Sequence, residues 1–390
     1  MERLATLETD LSEKGLWAMQ LSIRKPLYEL PPYSLTGDIL SFQTCPLQYR
    51  YNNLGGLPPS RPVQLWFGQF IHGVLEEAYR RYSADRQRPP PWPEDEVKEI
   101  ARRISRRLTA QGLMARSSDL EELGVRRAER AVNLLGPHLL PLINRVEVRL
   151  SGARSIDRSQ MSIAWREYRN LDRYELVGVI DVVSHVELSV SSSANVLVSA
   201  VRRPIHALPP KFEIIVDYKG MRRPSTIRQH GRLDLATYEW QLQNYANLRE
   251  RQLEGPPVVA GVLLFLNELH LTRSDMRSWR EETQEGTTDI PCDPSWRVPE
   301  DVPDDTKLRR AIHVTAVSAE SQSRALAEFD AVVQKIEACR GLELSGQSLF
   351  AAWIGNPEDK GTCDACDAKT FCPELAKRSR ASLRPRLPDA

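Results

Sequence analysis

The chain has 390 residues, of which 41% are hydrophobic and 27% charged, a composition typical of folded globular proteins and not of disordered or fibrous ones. Its 53 basic and 52 acidic side chains leave a net charge of +1, which argues against a strongly basic, nucleic-acid-coating protein. No apolar run reaches the roughly 18 residues that cross a membrane, and the first residues contain no apolar signal core. We therefore expect a cytoplasmic protein that has no membrane partner.

Residues 1–33 are interpreted as an N-terminal arm, and residues 34–84 as the segment that holds the first long helix of the core. Within that segment, WFGQFIHGVLEEAYRRY carries apolar residues at the spacing of one helix face. The proline-rich run RQRPPPWPEDE ends the helix. Residues 85–144 then show Arg-laced amphipathic patterns and are interpreted as a helical insertion. The apolar positions of the first helix are Phe70, Ile71, Val74, Leu75 and Ala78.

The hydrophobic period changes from helical to extended at about residue 145. The runs VEVRL, ELVGVIDVVSHVEL, KFEIIVDYKG and VVAGVLLFLNEL are rich in Val, Ile and Leu and predict four strands. An amphipathic helix between Gln229 and Gln252 precedes the last of them. The order helix, three strands, helix, strand predicts an α/β core, which we assign to residues 145–270.

The remaining segments are predicted to be peripheral. A Ser-rich stretch at residues 188–211 is interpreted as a surface excursion, and residues 271–316 as an insertion loop with an acidic, proline-containing part. A helix and a cysteine cluster occupy residues 317–376. Residues 377–390 form a basic tail that we expect to be poorly ordered.

Two of the predicted strands are expected to end in carboxylates, Asp181 in GVID and Asp217 in IIVDYKG. Because strand side chains alternate, Asp217 and Lys219 point to one side of the sheet and Tyr218 to the other. A charged residue within an apolar strand is costly to bury unless it binds a partner or a metal, and oxygen ligands select Mg²⁺ or Mn²⁺. The alternative is that each aspartate marks a strand end or pairs with an arginine.

These elements carry a family resemblance. GVID, then D-x-K at residues 217–219, then Q-L-x-x-Y at residues 241–245, looks like the core of the PD-(D/E)XK nuclease superfamily. The run FGQFIHGVLEEAY, which contains His72, resembles the histidine-bearing helix of its RecB-like branch. The resemblance implies a restriction-endonuclease-like fold, with a central mixed sheet flanked by helices. Gly220 and Met221 follow the motif lysine, where family members often have Thr or Ser.

The resemblance also implies a metal site and its ligands. His72, Asp181 and Asp217 would bind the catalytic Mg²⁺ or Mn²⁺, with the backbone carbonyl of Tyr218 as a further ligand. The two aspartates are therefore also predicted to be catalytic. A metal-bound water is a usable nucleophile near neutral pH.

Three further residues complete the predicted catalytic set. Lys219 would orient or help to deprotonate the attacking water and offset charge on the phosphate. Gln241 and Tyr245 lie four apart on one helix face, and the resemblance places them beside Lys219 or a DNA phosphate. The alternative for Tyr245 is simple packing in the core.

Three of the six cysteines form the pattern C-x2-C-x5-C, at Cys363, Cys366 and Cys372, and Cys45 is the candidate for a fourth soft ligand. This combination resembles the iron-sulfur staple of CRISPR-associated RecB-like nucleases and of AddB-type nucleases, and implies a [4Fe-4S] cluster in a C-terminal loop. Structural zinc is the alternative, because four cysteines also suit Zn²⁺. Two cysteines have no partner pattern and are interpreted as ordinary thiols: Cys292 and Cys339.

The predicted function is a metal-dependent deoxyribonuclease that acts on single-stranded ends or flaps in DNA repair, recombination, CRISPR adaptation or phage defence. No Gly-Lys dipeptide occurs, so a GxxxxGK[ST] phosphate loop is absent and unwinding would need a separate helicase or defence partner. The Arg-rich helices at residues 101–108 and 126–130 either line a strand-binding groove or form solvated faces. The alternative function is a non-catalytic DNA-binding scaffold that carries an iron-sulfur or zinc site.

Overall fold

The structure is a computed structural model, and it describes residues 30–56, 63–169, 171–192, 194–227, 235–252, 255–356, 360–364 and 366–375. The predicted arm up to residue 29 and the predicted basic tail lie outside the described residues. The strands are β1 Pro32–Ser34, β2 Ile143–Ser155, β3 Arg173–Glu187, β4 Lys211–Lys219, β5 Val258–Phe265 and β6 Ile312–Ala316.

Helices account for most of the remaining described chain, and none of those described combines the length and hydropathy that a membrane span needs. Three short segments are π-helical, at Leu35–Leu40, Arg50–Leu54 and Ala131–Leu135. The α-helices are α1 Ser41–Thr44, α2 Pro46–Tyr49, α3 Val63–Ala84, α4 Glu94–Ala110, α5 Ser118–Arg130, α6 Gly136–Leu139, α7 Ile163–Tyr168, α8 Val196–Arg202, α9 Leu235–Glu250, α10 Arg273–Gln284, α11 Asp304–Ala311, α12 Ala319–Leu344, α13 Leu349–Ala352 and α14 Lys360–Asp364.

The strands form one mixed sheet, as expected for an α/β core. Its path is β1-β3-β4-β5-β6, and β2 pairs with the other edge of β3. The β4–β5 pair is parallel, with α9 as the crossover helix between them, whereas β3 is antiparallel to both β2 and β4. On one edge of β3, β1 pairs with Glu175–Val177 and β4 with Val182–Glu187. Residues 178–181 of β3 lie between those two partners and pair with neither.

Helices cover both faces of the sheet. One apolar core joins the sheet to α3, α4, α5 and α8, and a second joins it to α7, α9 and α12. Alternation along β4 divides its side chains between the two, so Val216 and Tyr218 enter the first core and Ile215 the second. The five apolar positions predicted for the first long helix are all at most 2% exposed within α3, which confirms its amphipathic face.

A buried carboxylate fixes β1 beside the sheet. Glu337 of α12 is fully buried and accepts hydrogen bonds from Tyr33 Oη, from Trp165 Nε1 at 3.1 Å and from Arg169 Nε at 2.9 Å. Removing one partner of such a buried, hydrogen-bonded charge is strongly destabilising, because the remaining charge stays desolvated. Through this carboxylate, α12 holds β1 and α7 in place.

Residues 271–316 are not an insertion loop. They contain α10, α11 and β6, and β6 pairs antiparallel with β5. The acidic part packs a small core of its own around Trp279. The sequence did not indicate β6 because IHVTA is short and interrupted by polar residues, so its pairing with β5 and not its hydropathy defines it.

The stretch at residues 188–211 is also more than a surface excursion. It contains α8, whose Leu197, Val198 and Val201 are buried in the first core, and Asn195 caps the helix by accepting hydrogen bonds from two backbone amides. At the N-terminus, residues 32–34 form β1 and so belong to the sheet, and not to an arm that ends at residue 33.

Candidate active site

An open pocket of about 670 Å³ lies where the edge of β3 is left uncovered between β1 and β4. Four elements that are distant in the sequence contribute to it. It brings together all seven residues that the sequence analysis assigned to the metal and catalytic site: His72 of α3, Asp181 of β3, Asp217, Tyr218 and Lys219 of β4, and Gln241 and Tyr245 of α9.

The two aspartates face each other at the point where β3 and β4 stop pairing. Val182 pairs with Val216, so Asp181 and Asp217 are the next residues in register. Asp181 does not end a strand, which corrects the sequence interpretation. β3 continues to Glu187, because β2 pairs with it on both sides of this position and keeps it extended.

Hydrogen bonds hold Asp181 and His72 against the β4 backbone. Tyr218 N donates to Asp181 Oδ2 at 2.7 Å, and His72 Nε2 lies 3.1 Å from the Tyr218 carbonyl oxygen. His72 Nδ1 is 3.7 Å from Asp181 Oδ1. The imidazole, this carboxylate and the carbonyl of Tyr218 therefore share one small volume.

Lys219 is fixed by three neighbours. Its Nζ lies 2.6 Å from Asp217 Oδ2, donates to Gln241 Oε1 at 3.1 Å, and sits 4.6 Å from the ring centroid of Tyr238. Gln241 Nε2 in turn donates to Tyr245 Oη at 3.0 Å. The hydroxyl of Tyr245 thus lies beside Gln241 in the pocket, while its ring is buried in the second core.

Burial governs the electrostatics of the pocket. It raises the pKa of Asp181 to about 6; the nearby His72 lowers that pKa and Asp217 raises it, both by smaller amounts. A positive charge placed between the two carboxylates would favour their ionised forms. Burial also raises the pKa of Tyr245, so its hydroxyl stays protonated and can donate a hydrogen bond at neutral pH.

The donor atoms suit a hard divalent cation, although their present contacts are with one another. Among the described residues, no three His, Cys, Asp or Glu side chains are arranged so that they could hold a metal ion. Asp217 Oδ2 is buried and accepts no aligned hydrogen bond from the described chain, so the 2.6 Å approach of Lys219 is an ion pair alone. Two carboxylates, an imidazole and a carbonyl oxygen are a donor set that fits Mn²⁺ or Mg²⁺.

Two site residues were missed in the sequence. Tyr238 lies three positions before Gln241 on the same face of α9, and helical spacing from the Q-L-x-x-Y pattern could have indicated it. Gly178 opens the GVID run, and a Cβ atom there would lie 2.7 Å from Tyr245 Cε1. The absence of a side chain at Gly178 lets the tyrosine ring pack directly on β3.

We expect Gly178→Ala to lower the free energy of unfolding by about 1–3 kcal/mol, because the added methyl group displaces a packed ring. Gly152→Ala on β2 is the matched control, since its Cβ would meet Leu248 Cδ2 at an ordinary 3.4 Å. The control should change stability little or raise it by up to about 1 kcal/mol. Urea unfolding of both variants measures the difference, and equal stabilities would contradict the packing role.

The four predicted cluster cysteines line a second, smaller cavity: Cys45, Cys363, Cys366 and Cys372. Its volume is about 20 Å³, which is room for about one water molecule. Asn356 N donates to Cys45 Sγ at 3.4 Å. Burial raises the pKa of Cys366, and the adjacent sulfurs of Cys45 and Cys372 raise it further. The four thiols thus line one cavity, although no three of them are arranged in the described chain so that they could hold a metal ion.

The other two cysteines lie apart from this cavity. Cys292 is buried in the small core around Trp279, and burial raises the pKa of Cys339 to about 11. Thiols in such surroundings are inert, which is consistent with their interpretation as ordinary thiols.

The second Arg-rich helix does not present free cations. Its three arginines bind carboxylates, in the pairs Arg126–Glu122, Arg127–Asp275 and Arg130–Asp304. Two of these pairs attach α5 to α10 and α11, so that part of the predicted groove is a packing face. On α4, Arg103 pairs with Glu77, whereas Arg102 and Arg106 are exposed and form no ion pair with any described residue.

The fold and the pocket define an α/β protein with two carboxylates and one lysine in a gap between strands β1 and β4 of a mixed sheet. Residues 37–191 match the family model of the PD-(D/E)XK nuclease superfamily. The match includes His72 and Asp181 and ends before β4. Asp217, Lys219 and the α9 residues are therefore assigned to the same site by their positions in the pocket.

No curated protein matches the chain. A solved structure described as "Crystal structure of SSO0001" aligns with 92% of this chain and 93% of its own, at 11% sequence identity and a TM-score of 0.28. A likeness at that score carries no argument about fold or function.

Proposed function

We propose that the chain is a metal-dependent deoxyribonuclease of the RecB-like branch that hydrolyses phosphodiester bonds. One observation carries the proposal. A histidine, two carboxylates, a lysine and a glutamine from four separate elements converge on one open pocket. A scaffold that only binds DNA does not need a lysine-carboxylate pair beside a second carboxylate in such a pocket.

The proposed metal site consists of Asp181, Asp217, His72 and the carbonyl of Tyr218. A bound Mn²⁺ or Mg²⁺ supplies positive charge and a more acidic water. Lys219 places its ammonium group beside Asp217, where it stabilises negative charge that develops on the phosphate.

The hydrogen bond from Lys219 to Gln241, and from Gln241 to Tyr245, fixes the direction of the ammonium group. A group that is held in place does not reorganise as charge develops, which is the source of most electrostatic rate enhancement. The α9 residues are thus proposed as positioning residues, and Lys219 as the residue that meets the phosphate.

The proposed substrates are single-stranded ends or flaps. The pocket opens on a gap of only four residues along the edge of β3, between β1 and β4, which favours one strand over a duplex. A helicase or defence protein would supply the single strand, in repair, recombination, CRISPR adaptation or phage defence.

The cysteine cavity is proposed to hold a [4Fe-4S] cluster that attaches the C-terminal loop to α1 and α2. The four thiols around one cavity support a metal-thiolate site. Because the cavity is small, the sulfurs must move outward to accept a cubane. Broad visible absorbance and iron after anaerobic purification are expected, whereas a colourless protein with zinc would overturn the assignment to iron-sulfur.

The test of the function is cleavage of labelled single-stranded, flapped and duplex DNA by the anaerobically purified chain. Mn²⁺ or Mg²⁺ should permit cleavage of the single-stranded and flapped substrates, and EDTA should stop it. DNA binding without cleavage under all of these conditions would favour the scaffold.

Tyr238 provides a finer test of lysine positioning. Tyr238→Leu should lower kcat about tenfold with little change in KM, because a cation–π contact of about 1–2 kcal/mol is lost. Tyr238→Phe keeps the ring and should retain most of the activity. Equal rates for the two variants would show that the ring face does not act on Lys219.

A further inference from the structure

An arginine lines the pocket beside the proposed metal ligands. Arg149 of β2 forms no hydrogen bond or ion pair with any residue that the structure describes. The other basic side chains of the pocket are engaged, Lys219 with Asp217 and His72 with the Tyr218 carbonyl. A free guanidinium at the wall of such a pocket is suited to a phosphate group.

The register of the sheet places Arg149 at a definite distance from the metal ligands. Arg149 pairs with Val179, two residues before Asp181 on β3, which corresponds to ~7 Å along the strand. That length is comparable to the spacing of neighbouring phosphates in an extended single strand. Val179 also lines the pocket and is 44% exposed, so it offers apolar surface to a sugar or base.

Three carboxylates line the pocket, and Glu175 is the one that does not belong to the proposed metal site. Glu175 precedes Val179 by four residues, or ~13 Å along β3, on the side away from Asp181. Its carboxylate is therefore separated from the position of a phosphate bound next to Val179. Arg149 is thus closer to the proposed metal ligands than Glu175 is.

We propose that Arg149 binds the phosphate adjacent to the scissile one and so selects an extended single strand of nucleic acid. The assignment rests on the proposed function for the identity of the scissile position. The contact is the same before and during the reaction, so it contributes to substrate binding and not to the chemical step.

Fluorescence anisotropy with labelled oligothymidylate tests the proposal in an Asp217→Asn background, in which the probe is not consumed. Adding Arg149→Gln should weaken binding about tenfold, equivalent to about 1.4 kcal/mol. It should also reduce the slope of log K against log salt by about 0.7, the value for one phosphate contact with a single strand. Arg149→Lys should restore most of that slope.

Arg145→Gln is the matched control. Arg145 is also on β2 and pairs with Val183, two residues beyond Asp181, but it does not line the pocket. In the Asp217→Asn background, Arg145→Gln should bind the probe as tightly as Asp217→Asn alone. Equal losses for Arg145→Gln and Arg149→Gln, or an equal loss on duplex DNA, would overturn the proposal.

The cleavage assay separates this inference from the proposed function. In the otherwise unchanged chain, Arg149→Gln should raise KM and leave kcat unchanged. If the unmodified chain does not cleave DNA, but Arg149→Gln still weakens binding of the probe and lowers the salt slope, the nuclease assignment fails and the phosphate site stands. If the chain cleaves and Arg149→Gln behaves like its control, only the phosphate site fails.

Discussion

Replacing Lys219 with Met is expected to lower kcat for metal-dependent DNA cleavage by about 10³-fold. The ammonium group lies 2.6 Å from Asp217 Oδ2 and is held by Gln241, so no other side chain of the site supplies positive charge at that position. Loss of one preorganised electrostatic group in an active site commonly lowers kcat by about 10²–10³-fold, and loss of a proton-transfer group by about 10²–10⁴-fold. Methionine keeps the length of the side chain and preserves its packing.

Lys211→Met is the matched control, because Lys211 begins the same strand and its side chain is 67% exposed in a surface ion pair with Glu187. Surface pairs of this kind contribute little to stability, so the control should cleave and unfold like the parent. Single-turnover cleavage of labelled single-stranded DNA measures both variants. If the cleavage rate of Lys219→Met is within a fewfold of the rate of the control, Lys219 does not take part in the chemical step.

Replacing Cys45 with Ala is expected to destabilise the protein by about 5 kcal/mol and to remove the bound metal. Cys45 and the C-terminal cysteines are separated by more than three hundred residues, and closing a loop of that size by a cross-link stabilises by about 5–6 kcal/mol through chain entropy. That loss is comparable to the whole stability of many domains. Urea unfolding under anaerobic conditions, with metal analysis of the same sample, measures the effect.

Cys339→Ala controls for the loss of a buried thiol. Cys339 packs against the second core without approaching the cysteine cavity. Its replacement should cost only about 1 kcal/mol, typical of a small core truncation. If Cys45→Ala retains its metal and unfolds like this control, the fourth ligand is another residue and the staple does not include Cys45.

The sequence predicted the parts of the fold that depend on local periodicity. The amphipathic face of α3 and the apolar runs of β3, β4 and β5 each follow from patterns within one segment. The predicted helix α9 is also present, but it is not amphipathic, because residues 241–246 are all buried. The alternation along β4 also put Asp217 and Lys219 on one side and Tyr218 on the other, and the structure confirms that division. These predictions needed no information about distant residues.

The features that the sequence did not reveal depend on long-range contacts. β6 is a strand because β5 is available to pair with it, and α8 is buried because the first core covers its apolar residues. Asp181 lies within β3 and not at its end, since β2 continues the pairing on both sides of that position.

Long-range contacts also determine the parts of the candidate site that the sequence did not reveal. The match to its motifs identified the carboxylates and the lysine, but not the groups that position them. Tyr238 contacts the ammonium group of Lys219, on another element, with its ring at 4.6 Å, and Gly178 leaves room for the ring of Tyr245 because it has no side chain. The spacing of the motif residues in the sequence indicates neither of these two contacts.

The most direct test of the account is the Mn²⁺-dependent cleavage rate of Asp217→Asn on labelled single-stranded DNA, beside the unmodified chain. The change is nearly isosteric and removes a buried charge from the proposed metal site. We expect a rate at least about 10³-fold lower, with circular dichroism and unfolding that show an intact fold. Cleavage at the parent's rate by this folded variant would contradict the assignment of the pocket as the catalytic site.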